Sequence, residues 1–322
     1  MKLLKYLPVL LFIILFISCQ SHKSNVPVVG FVDAFEDVTV GQARAGFTDA
    51  LKKEGFSDDQ KTVKIEYRNA QNDQPTLSLI VNQFISEKVD LLATCTTLST
   101  VTAIQKTKTI PVFAMVSPTP ARMSVVSSTG ANPPNLFGVV EDLNYIDTSF
   151  NIITKLLKPK GAKLVICMIY NQSEPQSAYA DNRLKELAAK SNVSLEVLPH
   201  NNSADAQLVT KSLLSKNIDA FFALPDNSVF ASFETIVKNC DQADVPVFTS
   251  EAGLVKLGAV AAYGADMYQW GYQAGEQAAQ FLKTHKTDGL KPEMVKIRRR
   301  VYNPAAAKKY HITIPSDFEA VK

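Results

Sequence analysis

The sequence predicts an α/β protein made of two doubly wound parallel-sheet lobes with a ligand cleft between them. Three observations carry this expectation. Short continuous apolar runs alternate with helix-period segments, the alternation occurs twice in the same internal order, and a stretch of changed composition from Ser117 to Pro134 separates the two series. Runs that are apolar throughout, rather than at every second residue, belong to strands buried on both faces, as in a parallel sheet covered by its crossover helices.

The first series opens with a strand at Val28–Val32 and a helix from Gly41 to Glu54, whose apolar period includes Ala45, Phe47, Ala50 and Leu51. Strand Val63–Tyr67, helix Pro75–Glu87, strand Leu91–Thr94, helix Leu98–Lys106 and strand Pro111–Val116 follow. The stretch after Val116 is rich in Ser, Thr, Pro, Ala and Gly and lacks a long period, as a connecting segment does. Leu136–Val140 then reads as a strand and Asn144–Leu157 as a helix. The second series runs strand Lys163–Ile169, helix Gln176–Lys190, strand Ser194–Leu198, helix Asp205–Ser215 and strand Ala220–Leu224. It ends with helix Val229–Asn239 and strands Val245–Thr249 and Ala259–Ala262. This is a duplicated architecture rather than a short-period repeat array. In the last helix, Tyr268–Lys283, the residues Gly271, Ala274, Gly275 and Ala278 put small side chains on one face and permit close packing. The strand-like tail Met294–Tyr302 implies that the chain crosses between the lobes again. The expected division is 27–141 with about 265–288 in one lobe, and 142–264 with about 289–322 in the other.

Ahead of Pro27 the chain reads as a leader. Lys2 and Lys5 precede an apolar run from Val9 to Ile17 that is shorter than the about 20 residues a bilayer span takes. A basic start, a short apolar stretch and small residues form the pattern of a secretory signal. Phe16-Ile17-Ser18-Cys19 resembles a bacterial lipoprotein box. Residues 1–19 are therefore expected to be a lipoprotein signal peptide, Cys19 the lipidated residue and 20–26 a polar tether. The folded protein would sit in the cell envelope, exported and held to the membrane by its lipid.

Composition narrows the function classes. A chain 46% hydrophobic and 20% charged can bury a full core. The net charge is +3 and the one basic run, Arg298-Arg299-Arg300, lies among alternating apolar and polar neighbours, as on a solvated strand or crossover. Nucleic acid is not an expected partner. Cys95, Cys167 and Cys240 lack metal-type spacing and read as buried free thiols. His22, His200, His285 and His311 are scattered, so no metal site is expected. There is no Gly-x-Ser-x-Gly elbow, His-Glu-x-x-His, P-loop or Gly-x-Gly-x-x-Gly after the first strand. Neither an enzyme nor a cofactor is expected.

Several segments resemble one family. Tyr170-Asn171-Gln172-Ser173-Glu174-Pro175-Gln176-Ser177, Pro225-Asp226-Asn227-Ser228-Val229, and Pro246-Val247-Phe248-Thr249-Ser250-Glu251 look like three of its loops. The match runs on through Gly258–Gly264, Asp266 and Gly271, with a looser one at Thr94-Cys95-Thr96-Thr97 and from Ile110 to Pro118. The family is the ABC-transporter substrate-binding proteins of the tryptophan/tyrosine type, with the periplasmic-binding-protein type I fold. The resemblance implies capture of a small molecule by hinge closure and delivery to an ABC permease, an aromatic amino acid being the first expectation. A branched-chain or other amino acid, then a sugar or nucleoside, come after it. A ligand-sensing receptor component of the same fold is the alternative. Ser117 stands where the family often has an acidic residue, and the loop Asp33-Ala34-Phe35-Glu36-Asp37 departs from its usual form.

Candidate ligand-binding residues follow from where strands end, since open α/β sheets bind ligands just outside the carboxyl ends of their strands. Thr96, Thr97 and Ser99 open a helix and could seat a carboxylate with their hydroxyls and N–H groups, although Thr and Ser are also ordinary helix caps. Ser117 lies in the next loop. Glu174, Ser177, Asp226, Asn227, Glu251 and Asp266 form the polar set of the opposite side, and its carboxylates suit a ligand with an amino group. Asp226 and Asp266 could equally cap the helices they precede. Phe35 and Tyr170 are loop aromatics able to stack on a flat ligand, or simply to pack. Trp270, within the late helix, is expected to pack between elements.

Overall fold

The computed structural model describes residues 26–321, so the leader, Cys19 and most of the tether lie outside the described residues. The chain begins with β1 (Val28–Asp33), α1 (Val38–Lys53), β2 (Lys64–Asn69), α2 (Gln74–Glu87), β3 (Leu91–Cys95), α3 (Thr97–Lys106), β4 (Val112–Met115) and β5 (Leu136–Val140). It continues with α4 (Tyr145–Leu156), β6 (Leu164–Asn171), α5 (Pro175–Ala189), β7 (Val193–His200), α6 (Ser203–Leu214) and β8 (Ala220–Ala223). Next come α7 (Asn227–Ala231), α8 (Phe233–Gln242), β9 (Val247–Thr249), a 3-10 turn at Ala252–Val255, β10 (Ala261–Ala265) and α9 (Met267–Thr284). The last elements are β11 (Glu293–Met294), β12 (Arg298–Tyr302), α10 (Pro304–Lys309) and β13 (Glu319–Ala320).

These strands form two sheets. The first is six-stranded in the order β11-β5-β4-β3-β1-β2, parallel throughout. The second is seven-stranded in the order β13-β12-β10-β9-β8-β6-β7. Its β12 runs antiparallel to β10, a departure from the all-parallel expectation that places Arg298–Tyr302 beside the sheet end. The strands β3, β4, β5 and β8 are buried along their whole length, which is what continuous apolar runs between two helical layers require.

Local chemistry sets the element ends. Asp37, Asp73 and Asn202 cap α1, α2 and α6 with side-chain oxygens accepting from backbone N–H groups. Proline at the opening of α2 and α5 costs no intrahelical hydrogen bond there. The single helix expected over Val229–Asn239 is two, with Ser232 between α7 and α8. The sequence reading also missed α10 and β13, short segments without a long apolar period.

The chain passes between the sheets three times, after β5, after β10 and after β11. The third passage lies later than expected, because Glu293 and Met294 pair with Val139 and Val140 of the first sheet. The passages are tied together. Arg298 donates from Nε and Nη2 to buried Glu141, and the Asp266 N–H donates to the Ile297 carbonyl. Burial lifts the Glu141 carboxyl above its usual range even against the pull of Arg298.

Candidate ligand-binding site

Between the two sheets lies a narrow cavity of about 30 Å³, partly open to solvent. Thr97, Val116, Ser117 and Pro118 line it from the first lobe, and Leu143, Tyr145, Gln176, Pro225, Asn227, Phe230 and Glu251 from the second, with Trp270 of α9 completing it. The walls therefore combine aromatic and aliphatic surface with a few polar groups, the usual make-up of a small-molecule site.

The first wall is the carboxyl end of β3 and β4. Thr96, at the entry to α3, has φ 72°, and Val116 after β4 has φ 51°. Both are β-branched residues in the left-handed region, where such a backbone costs of order 1–3 kcal/mol. Leu143 on the second wall has φ 67°. Strain of this kind is held by the surrounding structure. Among the described residues the Thr96 and Ser99 hydroxyl oxygens are buried without a partner, beside the N-terminus of α3. Ser117 Oγ is instead bound into a buried chain with Thr100 and Thr94 hydroxyls, at 3.0 and 2.9 Å along the chain.

The second wall rests on a buried polar network. Asp226 Oδ1 accepts from the Ser228 and Val229 N–H groups at 2.9 and 3.0 Å, capping α7. Its Oδ2 accepts from Asn171 N–H at 2.8 Å and Ser177 Oγ–H at 2.7 Å, and His200 Nε2 stands 3.3 Å away. Glu174 Oε2 accepts from Gln176 Nε2 at 2.5 Å and from Asn227 N–H at 2.9 Å. Burial, and then the neighbouring Asp226 charge, push the Glu174 carboxyl well above its ordinary range. Asp226 and Glu174 thus hold the cavity wall from behind.

Glu251 reaches the cavity itself. Tyr145 Oη donates to its Oε1 at 2.6 Å and Ser250 Oγ does so at 3.2 Å. Burial raises the Glu251 carboxyl to about 7, against the opposing effect of those two donors. Trp270 is fixed in place by its Nε1–H donating to the Val139 carbonyl at 2.8 Å, which leaves the indole ring as cavity surface.

Of the residues singled out from sequence, Thr97, Ser117, Asn227 and Glu251 line the cavity. Thr96 and Ser99 sit beside it at the start of α3, and Glu174, Ser177 and Asp226 lie in the network behind the second wall. Phe35 is buried with its ring 6.4 Å from that of Phe230, across the cleft. Tyr170 and Asp266 are elsewhere. Tyr170 lies within β6 and packs against the core, with Lys185 Nζ 5.5 Å from its ring, and Asp266 caps α9 while pairing with Arg299 at 3.4 Å. Trp270 is more than packing between elements, since it faces the cavity.

Sequence reasoning did not single out Tyr145, Gln176 or Phe230. Gln176 and Phe230 follow Glu174 and Asn227 by a few residues, in the first turns of the helices that those marked segments open, so the segment positions could have found them. Tyr145 carries no such signal, because its partner Glu251 is 106 positions away.

The lobes touch around the cavity. Besides Phe35 and Phe230, the Arg122 guanidinium lies 3.5 Å from the centre of the Tyr179 ring, and Gly253 approaches Thr39 so closely that a Cβ would fall 2.2 Å from Thr39 Cγ2.

Several known proteins are similar to this chain. The Tyrosine-binding protein of Clostridioides difficile (strain R20291) is 32% identical over 255 residues, 79% of this chain and 72% of that protein. The crystal structure of a conserved domain protein from Vibrio cholerae O1 biovar El Tor superposes with a TM-score of 0.83 at 28% identity, covering 92% of this chain and 100% of that one. A ligand-free, open substrate binding protein with adhesive properties from Clostridium difficile, also 28% identical, gives 0.66 over 92% of this chain and 99% of that one. The type I periplasmic-binding fold is thereby shown. Residues 26–321 match the profile of the ABC transporter substrate binding protein family, and the chain belongs to that family.

Proposed function

We propose that the protein is the lipid-anchored, extracytoplasmic binding component of an ABC importer, capturing an aromatic amino acid between its lobes and handing it to the permease. The observation that carries the ligand class is the cavity itself: Tyr145, Phe230 and Trp270 offer ring surface beside buried polar groups of both donor and acceptor type. The relative that binds tyrosine supports the same class. The ligand carboxylate would sit at the N-terminus of α3, on the Thr96, Thr97 and Ser99 groups, where the helix dipole favours an anion. The ammonium would meet the Glu251 carboxylate, both of whose hydrogen bonds fall on Oε1.

Among the described residues no helix is long and apolar enough to cross a membrane, so membrane attachment in this reading rests on Cys19. A thermal-shift screen of the protein against the twenty amino acids, common sugars and nucleosides tests the ligand class. At a hundredfold excess over its dissociation constant a ligand stabilises the native state by about 2.7 kcal/mol. The expected result is a raised midpoint with tyrosine, tryptophan or phenylalanine. A shift with a sugar or nucleoside and none with any amino acid would overturn the ligand class while leaving the family intact.

A further inference from the structure

Two amide side chains at the second wall carry information that the binding reading does not use. Gln176 and Asn227 line the cavity and are 5% and 3% exposed. Glu174 Oε2 accepts both the Gln176 Nε2–H and the Asn227 N–H, so the two residues converge on one carboxylate oxygen. Gln176 turns its NH₂ toward Glu174, and its carbonyl oxygen is the other end of the same amide. That leaves two buried atoms without a partner among the described residues, an acceptor on Gln176 (Oε1) and a donor on Asn227 (Nδ2).

A buried polar atom without a partner costs on the order of 1–3 kcal/mol, so a donor and an acceptor on two residues of one cavity wall favour a ligand that serves both. A hydroxyl is the smallest group that donates one hydrogen bond while accepting another. A ring C–H does neither, and an indole N–H donates only. We infer that Gln176 and Asn227 read a phenolic hydroxyl at the far end of an aromatic amino acid, so that the site selects tyrosine over phenylalanine and tryptophan. The inference rests on the proposed capture of an aromatic amino acid and adds the residues that choose among them. In this arrangement the amino-acid head lies toward α3 and Glu251, the ring lies against Phe230 and Trp270, and the hydroxyl donates to Gln176 Oε1 and accepts from Asn227 Nδ2.

A site built to bond a hydroxyl rejects the analogue lacking it far more strongly than an apolar pocket rejects a methylene. Calorimetric titration of the protein with tyrosine, phenylalanine and O-methyltyrosine tests this. The expected result is tyrosine binding roughly a hundredfold or more tighter than phenylalanine, with O-methyltyrosine, which cannot donate, also weakened. In Gln176→Met and Asn227→Leu the tyrosine affinity should fall more than the phenylalanine affinity does, and a cooperative thermal melt shows that each variant is folded. Equal affinity of the unaltered protein for tyrosine and phenylalanine overturns the inference and leaves the capture of aromatic amino acids standing. Equal loss for both ligands in the two variants also overturns it, since the amides would then hold the shared amino-acid head. Binding of neither ligand removes the ligand class and this inference together.

Discussion

Glu251 is where charge and binding meet. Its native carboxyl holds a proton up to about pH 7, whereas an unfolded glutamate ionises near its model value of 4.5. Between those values the native state binds more protons than the unfolded one, so this group's contribution is fully present below the lower value and is lost as pH rises to about 7. Burial likewise holds Asp33 at about 7, so it adds a loss of the same sign in the same window. Glu251→Gln keeps the position neutral at every pH. In urea unfolding of the ligand-free protein the variant should regain about 3 kcal/mol relative to the parent at pH 8 and little at pH 4, leaving a shallower slope from Asp33, Glu141 and Glu174. Parallel pH profiles for parent and variant would show that Glu251 ionises normally. The same residue was legible from sequence as a carboxylate after a strand. Its hydroxyl donor Tyr145 was not, because no local pattern joins positions so far apart in the chain.

At the scale of elements, the packing of α9 on α1 shows what small residues accomplish. Gly271 lies so close to α1 that a Cβ would stand 1.8 Å from the Ala43 carbonyl oxygen, and at Gly275 it would stand 2.5 Å from that of Phe47. Gly46 answers from α1, where a Cβ would stand 2.0 Å from the Tyr268 carbonyl oxygen. The close approach lets α9 lie over β4 and β5 and carry Trp270 to the cavity. Gly271→Ala must push the helices apart, and overpacking of this kind costs about 3 kcal/mol, readable as a lower urea midpoint. An unchanged midpoint would mean that the interface has slack. The small-residue face was readable as a helical period. The break at Ser232 was not, because Val229, Phe233, Ile236 and Val237 keep one apolar face through both helices.

Over the whole molecule, the α/β alternation told the fold class, because each sheet is built mainly from neighbouring stretches of chain and each stretch carries its own period. The antiparallel β12 was hidden by its position, as Arg298–Tyr302 returns to β10 only after the long α9 and a visit to the first sheet. The cavity was harder to read than the fold. Its walls come from loops at the ends of strands in both sheets, and their meeting depends on the three passages held by Glu141, Asp266 and Arg298. Strand-end loops could be marked from sequence, but not which side chain in each would face inward.

Trp270 is the one tryptophan of the chain and it lines the cavity, so its fluorescence reports on that cavity alone. The most direct measurement is a titration of the protein with L-tyrosine, exciting at the red edge of the absorption where free tyrosine is silent. The expected result is a saturable one-to-one change with L-tyrosine and none with sugars or nucleosides. A saturable change with a sugar or nucleoside, and a flat response to every aromatic amino acid, would contradict it.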